Sequence, residues 1–383
     1  MANSEKKCDI DIFGILDYDD YHHRVVDLVS DIFDQSQIPY KLLYLPTAPL
    51  PGIDNDPTKL LVVIMPEFTI DVDLSFDRIN VMFDQWKDFP NPVLIITAVD
   101  HADLDYNVPS RVTFMHMGGD FLFQMLEYPV LQPQASKNLD AEQFWVSLNQ
   151  EPRSHNSIAA CYLLGNDLGR IVGPPTGLLK ISNHIVKGHA SWDDFYQQCK
   201  YKTHISDQQH RVLQKGFSLF NEGIHFESQN NQLNLQRTDY ATNFDQDLRQ
   251  FYVNSLVEIV NETVFFTQGI HVTAKFLNSV YGFNLPIILS SPGTVQYLRD
   301  SGFDMCDDVI DHSYDAITDH VQRMFAAIDL NKKLLSDKTH AQKAWLHCVH
   351  RLQHNHQHAK HSMYTHFITE LKQNLTEYAL TIR

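Results

Sequence analysis

Between residues 251 and 315 the chain alternates short apolar runs with helical spacing, and this alternation limits the fold more than any other feature. Residues 255–260 form an apolar run rich in β-branched side chains, as a buried strand requires. Glu262 closes the run and a loop containing Gly269 follows. Residues 272–281 place apolar side chains at helical spacing, with Thr273 near the start. Residues 285–289 read as a second buried strand. In the turn Ser290-Ser291-Pro292-Gly293, Ser291 suits an N-cap and Pro292 a first helical position. Residues 295–301 then form a short helix stopped by Gly302. Strand, loop, helix, strand, helix is the βαβ grammar of a parallel sheet.

Such a unit offers a place for a phosphate. The loop after its first strand ends at a helix N-terminus, where unpaired N–H groups and the helix dipole favour an anion. Lys275 falls in that first turn and would add a full positive charge. Glu262, at the carboxyl end of the strand, could accept hydrogen bonds from ribose hydroxyls. The alternative is a solvated Lys275 and a surface Glu262, since most βαβ units bind nothing at a given loop.

The residues Glu262-Thr263, Thr273-x-Lys275, Pro286, Pro292-Gly293-x-x-x-Tyr297-Leu298-Arg299-x-x-Gly302-Phe303 and Asp311-x-Ser313-Tyr314-Asp315 form an ordered series. This series resembles the C-terminal half of a glycosyltransferase-like family that is frequent in tailed bacteriophages and bacteria and distantly similar to the fucosyltransferases. The family pattern runs V-x-E-T, T-E-K, P-F-I, P-G-x-L-x-Y-L-R-x-x-G-F and D-E-S-Y-D. Here Ala274 stands in place of the T-E-K glutamate and His312 in place of the D-E-S-Y-D glutamate. In related transferases the T-E-K glutamate is expected to hold the donor nucleotide. Upstream, Leu148-Asn149-x-x-Pro152-Arg153-x-His155 matches the family's L-N-x-x-P-R-x-H-R, with Asn156 replacing the last arginine. The resemblance covers residues 144 to about 335; the first part of the chain is matched in fold type alone.

The resemblance implies an α/β fold of the GT-B kind. Two Rossmann-like domains face a cleft, and a long C-terminal helical tract packs back. The expected division is an acceptor-side domain at 1–143, a nucleotide-sugar-binding domain at 144–335 and the helical tract at 336–383. The implied donor site holds Asn149, Arg153, His155, Glu262, Thr273 and Lys275. Arg153 and Lys275 would neutralise a diphosphate, Arg153 in bidentate fashion, and Glu262 would hold the nucleoside. Fixed cations and a helix N-terminus can stabilise a leaving diphosphate, so no metal or other cofactor is expected. The donor is expected to be a uridine diphosphate sugar. The family's phage bias points to 5-hydroxymethylcytosine in double-stranded DNA as the acceptor. The alternatives are transfer to a glycan or protein, and a degenerate binding protein without catalysis, which the Ala274 and Asn156 departures motivate.

The first part of the chain carries apolar runs at 8–16, 40–45, 60–65, 92–99 and 111–115, with an amphipathic helix at 21–33. Their spacing suggests a doubly wound α/β domain. No GxGxxG is present, so the dinucleotide fingerprint is missing. The loop after the first run reads Asp17-Tyr18-Asp19-Asp20-Tyr21-His22-His23. Ligands collect at the carboxyl ends of strands in open α/β sheets. Asp17, Asp19, Asp20 or His22 would there be the base that deprotonates an acceptor hydroxyl. The alternative is that Asp19 or Asp20 caps the following helix.

Length and composition set outer bounds. The 383 residues exceed one ordinary domain, and 43% hydrophobic content supports packed cores. No apolar run approaches the ~20 residues that cross a bilayer, so no membrane partner is expected. The start MANSEKKCDIDIF is not a signal peptide, and five scattered cysteines without metal spacing suggest a reducing compartment. The expected location is cytoplasmic, a host's cytoplasm if phage-encoded. The net charge of −17 opposes nonspecific nucleic-acid binding, although a local basic patch can act against an acidic background. Such a patch could lie between Lys187 and Lys215, where Lys200, Lys202 and Arg211 interleave with Trp192, Phe195, Tyr196 and Tyr201. The alternative there is a solvated helical face. Residues 340–378 read as a long helix holding His347, His350, His354, His356, His358, His361 and His366, some of them at i, i+4. Chelation needs a closed ligand set on one face; the alternative is a solvated helix that becomes cationic in mild acid.

Overall fold

The computed structural model describes residues 10–15, 29–31, 33–34, 40–45, 60–65, 83–84, 87, 92–97, 108–116, 137–149, 154–168, 178–181, 191–221, 249–263, 265–266 and 269–381. The chain forms two compact units. Unit 1 comprises Met1–Tyr128, Thr267–His271 and His361–Arg383, and unit 2 comprises Pro129–Phe266 and Val272–Lys360. The boundary near residue 128 differs from the expected one at 143. The expected tract at 336–383 is shared: its first part belongs to unit 2 and its last part to unit 1.

Unit 1 holds a parallel sheet of β1 (Ile10–Ile15), β2 (Tyr40–Leu45), β3 (Leu60–Met65), β4 (Val93–Thr97) and β5 (Val112–His116) in the order β2-β1-β3-β4-β5. Val62, Val63 and Val93 to Ile96 are buried. Near-continuous apolar runs are what strands of a parallel sheet require. β1 pairs with β2 on one side and β3 on the other, so the strand order reverses beside β1. The loop after β1 carries Asp17, Asp19, Asp20 and His22, which lie outside the described residues. The last helix, α10 (Tyr364–Thr381), is counted with this unit.

Unit 2 repeats the plan with four parallel strands, β6 (Trp145–Asn149), β7 (Leu178–Ile181), β8 (Val257–Asn261) and β9 (Leu285–Leu289), in the order β7-β6-β8-β9. Every residue of β8 and β9 is buried. β6 leads into α1 (Ser154–Gly165), in which His155 to Gly165 are all buried. A helix apolar all round is one enclosed on all sides. Its neighbour α3 (Asp207–Asn221) follows α2 (Trp192–Lys202). A Cβ on Gly216 would stand 1.8 Å from the carbonyl oxygen of Cys161, and one on Gly165 would stand 1.9 Å from that of Val212. Glycine at both positions lets α1 and α3 touch through their backbones.

Next come α4 (Arg249–Asn254), α5 (Ala274–Gly282), α6 (Thr294–Asp300) and a 3-10 turn (Ser313–Ala316). That turn closes the edge of β9, whose Ile288 N–H donates to the Tyr314 hydroxyl at 2.9 Å. Asp315 accepts from Val295 N–H at 3.2 Å and from Gln296 N–H at 3.1 Å, which caps α6. The Pro292–Asp315 part of the sequence pattern is thus an edge cover and a helix cap.

The helices α7 (His320–Leu330), α8 (Lys332–Ser336) and α9 (Lys338–Gln357) complete unit 2. At the amino end of β8, Glu258 accepts from the Tyr252 hydroxyl at 3.0 Å, and the nearby Lys137 ammonium donates to the Ser255 carbonyl at 2.7 Å. Lys137 also donates to the Tyr252 carbonyl and to Asn284 Oδ1. No helix among the described residues is long and apolar enough to cross a membrane.

Candidate active site at the switch of the second sheet

In unit 2 the strand order reverses between β6 and β8, the position at which open α/β sheets bind ligands beyond the carboxyl ends of their strands. One hydrogen bond there joins α1 to the end of β8. His155, in the first turn of α1, brings Nε2 to 3.0 Å from the Glu262 carbonyl oxygen. The imidazole is 3% exposed and stacks on Phe265, with ring centroids 5.1 Å apart and planes 14° apart.

Glu262 continues the ladder, its N–H donating to the Leu289 carbonyl at 2.9 Å. Its side chain turns inward and is 0% exposed. Oε2 accepts from the Thr273 hydroxyl at 2.6 Å and from the Thr273 N–H at 3.2 Å. Thr273 is the N-cap of α5, and its hydroxyl accepts in turn from Lys275 N–H at 3.3 Å. A carboxylate beside a helix N-terminus is favoured by the dipole. The helix start that the sequence offers to a phosphate therefore already holds the carboxylate of Glu262.

Lys275 is half-buried and reaches back across the strand end, its Nζ donating to the Asn261 carbonyl at 2.6 Å. Asn261 Nδ2 donates to Ser147 Oγ on β6 at 3.3 Å. His155, Glu262, Thr273 and Lys275, chosen from segments over 100 positions apart in the chain, thus meet at one strand end. Asn149 is the last residue of β6, in register with Ile181. Arg153 lies outside the described residues.

Arg323, on α7, is a residue that sequence reasoning missed. It is 2% exposed, and its donors gather loops that follow several elements. Nε donates to the Ser290 carbonyl at 2.8 Å, Nη1 to the Ile317 carbonyl at 2.7 Å and Nη2 to the Phe265 carbonyl at 3.4 Å. Nη2 also lies 2.9 Å from His320 Nδ1, and the guanidinium sits over the Phe265 ring at 5.3 Å. Burial pushes its pKa down to about 10, so it remains a cation at neutral pH. The one sign in the sequence is an arginine within the apolar run of α7, between Val321 and Met324.

Parts of two other expected regions are taken up by packing. Trp192 stacks on Tyr196 at 5.3 Å, and Tyr196 meets the edge of His210 at 4.6 Å. Phe195 stacks on Phe217 at 5.2 Å. Trp192, Phe195 and Tyr196, three aromatic residues of the expected nucleic-acid surface, thus pack within α2 and α3. In the histidine tract, His356 stacks on Phe283 at 5.4 Å, and His358 Nε2 lies 2.6 Å from the Ser301 carbonyl. The His354 and His358 rings lie parallel, 5.9 Å apart, rather than converging. Among the described residues no group of three or more His, Cys, Asp or Glu side chains could hold a metal ion.

Comparison with protein-family models returned no match, and comparison with curated proteins returned none. The glycosyltransferase resemblance therefore rests on the residues quoted for it, and the geometry of those residues carries the functional reading.

Proposed function

We propose that the chain is a glycosyltransferase of GT-B type, with its donor site at the β6–β8 switch of unit 2. It takes a sugar from a nucleotide diphosphate sugar, a uridine diphosphate sugar first, and moves it to an acceptor hydroxyl. The observation that carries this reading is the meeting of His155, Glu262, Thr273 and Lys275 at the carboxyl end of β8. Two separate motifs meet where open α/β sheets bind ligands. The passage of the helical tract from unit 2 into unit 1 at residue 361 supports the GT-B part of the reading.

The roles combine what the resemblance implies with the hydrogen bonds of unit 2. Lys275 supplies the cation that faces the diphosphate, with Arg153 from the loop after β6. Glu262 orients Thr273 and the first turn of α5, because its carboxylate is turned onto that turn. The acceptor oxygen attacks the anomeric carbon as the bond to the diphosphate breaks, and the cations stabilise the charge that gathers on the leaving group. The proposed base that takes the acceptor proton is Asp17, Asp19, Asp20 or His22, all outside the described residues. The lead acceptor is 5-hydroxymethylcytosine in double-stranded DNA, reached by base flipping or through the major groove.

A thermal-shift screen with nucleoside diphosphates and nucleotide sugars tests the donor site. Ligand at ~100 times its dissociation constant stabilises the fold by ~2.7 kcal/mol. The expected result is a shift with one nucleotide class that Lys275→Ala removes. A shift followed by sugar transfer to hydroxymethylated DNA supports the whole reading. A shift without turnover on DNA, glycan or protein acceptors favours a non-catalytic nucleotide-sugar-binding protein, the reading that Ala274 motivates. No shift with any nucleotide overturns the donor site.

A further inference from the structure

Away from the switch, two cysteines lie side by side between a turn and a long helix. Cys306 opens the turn at φ 57, in the left-handed region where a non-glycine residue is uncommon. Its carbonyl accepts from Val309 N–H at 2.9 Å and Ile310 N–H at 3.0 Å, and its own N–H donates to Asp304 Oδ1 at 2.9 Å. Cys348 lies on the buried face of α9 with Ala344, Trp345 and Leu352. The turn and the helix meet at these two residues, and each thiol is the first influence on the other's titration.

A cation stands beside this pair. Arg351, one turn after Cys348, places Nη2 2.9 Å from Cys348 Sγ. Its Nη1 is 2.5 Å from Asp308 Oδ1 and 3.6 Å from Asp304 Oδ1. Both thiols are 0% exposed, while the Arg351, Asp304 and Asp308 side chains are 27%, 38% and 49% exposed. The sulfurs therefore lie one layer of charged side chains below solvent. The Cys306 thiol, and then the Arg351 charge, hold Cys348 below the ordinary thiol range. Cys161 and Cys199 are the contrast: burial pushes Cys161 well up and Cys199 up to about 12.

We propose that Cys348 and Cys306 are an oxidisable pair, which a peroxide converts through Cys348 into an intramolecular disulfide that ties the 304–310 turn to α9. The Cys348 thiolate attacks one peroxide oxygen, the O–O bond breaks and the released hydroxide takes a proton to become water. This leaves a sulfenic acid on Cys348. The Cys306 sulfur then attacks the Cys348 sulfur, the S–O bond breaks, and the hydroxyl leaves as water with the Cys306 proton. Two thiols lose two electrons and two hydrogens, and one peroxide becomes two waters. The turn also lines a cavity of about 520 Å³ with Arg299 and His312, so the bridge fixes one wall of that cavity.

The test uses the full chain, treated with hydrogen peroxide, blocked with an alkylating agent and digested without reductant for mass spectrometry. The expected product is a Cys306–Cys348 peptide pair lighter by two hydrogens than the reduced peptides, with Cys161 and Cys199 unmodified until the chain is denatured. Cys306→Ser should stop the reaction at a sulfenic acid on Cys348 that dimedone traps. Arg351→Gln should slow bridging several-fold while the far-ultraviolet spectrum stays unchanged. Bridges through Cys161 or Cys199, sulfinic acid on Cys348 without a bridge, or no modification of Cys348 would each overturn the proposal. So would an Arg351→Gln protein that bridges at the wild-type rate.

Discussion

Strand β8 has a buried glutamate towards each end, and the fold treats the two in opposite ways. Glu262, at the carboxyl end, finds the N-cap of α5 eleven positions along the chain. Glu258, at the amino end, has the Tyr252 hydroxyl, the Ser279 and Asn284 side chains and a lysine brought from 121 positions away. The difference follows from chain direction. In a parallel sheet the helices run against the strands, so helix N-termini gather at the carboxyl edge and helix C-termini at the amino edge. A carboxylate at the first edge meets partial positive charge. At the second edge it meets carbonyl groups, and Lys137 serves those carbonyls as well as the carboxyl. Burial pushes Glu258 up to about 8 and lowers Lys137 well below its ordinary value. Helix N-termini lie at one edge of the sheet alone, and at α5 the Glu262 carboxylate takes the anion's place.

This comparison breaks most sharply at Lys137. Lys137→Ala leaves the Tyr252 and Ser255 carbonyls and Asn284 Oδ1 without their donor and Glu258 without its cation. We expect a loss of about 3–5 kcal/mol in urea unfolding. A loss within error would mean that solvent already serves the amino edge. Glu258→Gln sharpens the contrast through pH. The folded-state pKa of Glu258 lies above its ordinary value near 4.5, so its contribution is complete below that pH and drains away as pH rises towards 8. The depressed Lys137 acts in the opposite sense as pH rises towards its own ordinary value. Wild-type stability should therefore fall by about 2 kcal/mol between pH 5 and 8 relative to Glu258→Gln, read from unfolding curves at each pH. Parallel curves for the two proteins would remove Glu258 as the titrating group.

At the carboxyl edge the effects are smaller. Thr273→Val removes the hydroxyl that joins Glu262 to α5 and should cost about 1 kcal/mol, the usual value of an N-cap. Its nucleotide-induced thermal shift should fall with that loss if the cap shapes the site. The smallest change is Arg299→Ala. It breaks an exposed pair with Asp307, at 2.6 Å, and should cost at most about 1 kcal/mol.

The strands were legible because their apolar runs are local. Residues 40–45, 60–65 and 285–289 were read with the bounds they have in the structure. The order of strands was not legible, because pairing joins distant residues and leaves no periodic mark. The switch residues were found through motif spacing, but their hydrogen bonds were not. Glu262 reads as an open strand-end carboxylate until the return of Thr273 through the loop is known. Lys137 and Arg323 escaped notice because most of their hydrogen-bond partners are backbone carbonyls, which no side-chain pattern reports. The long helix at 340–378 was read as continuous, whereas a π-helical turn (His358–Met363) interrupts it. Its neighbour Gly302 has φ 95, and a Cβ there would come within 2.8 Å of the His358 ring, so no side chain fits.

That interruption falls where the chain returns from unit 2 to unit 1, and it bears on how the protein is made. The five strands of unit 1 leave the ribosome first, yet residues 361–383 of the same unit are translated only after all of unit 2. The unit begun first is completed last. Unit 2 has its sheet and α1 to α9 before residue 361 is added, and can collapse while unit 1 still lacks α10. A chain ended shortly before α10 would therefore carry every residue of the second unit and an unfinished first one, with the unfinished unit open to chaperones and proteases.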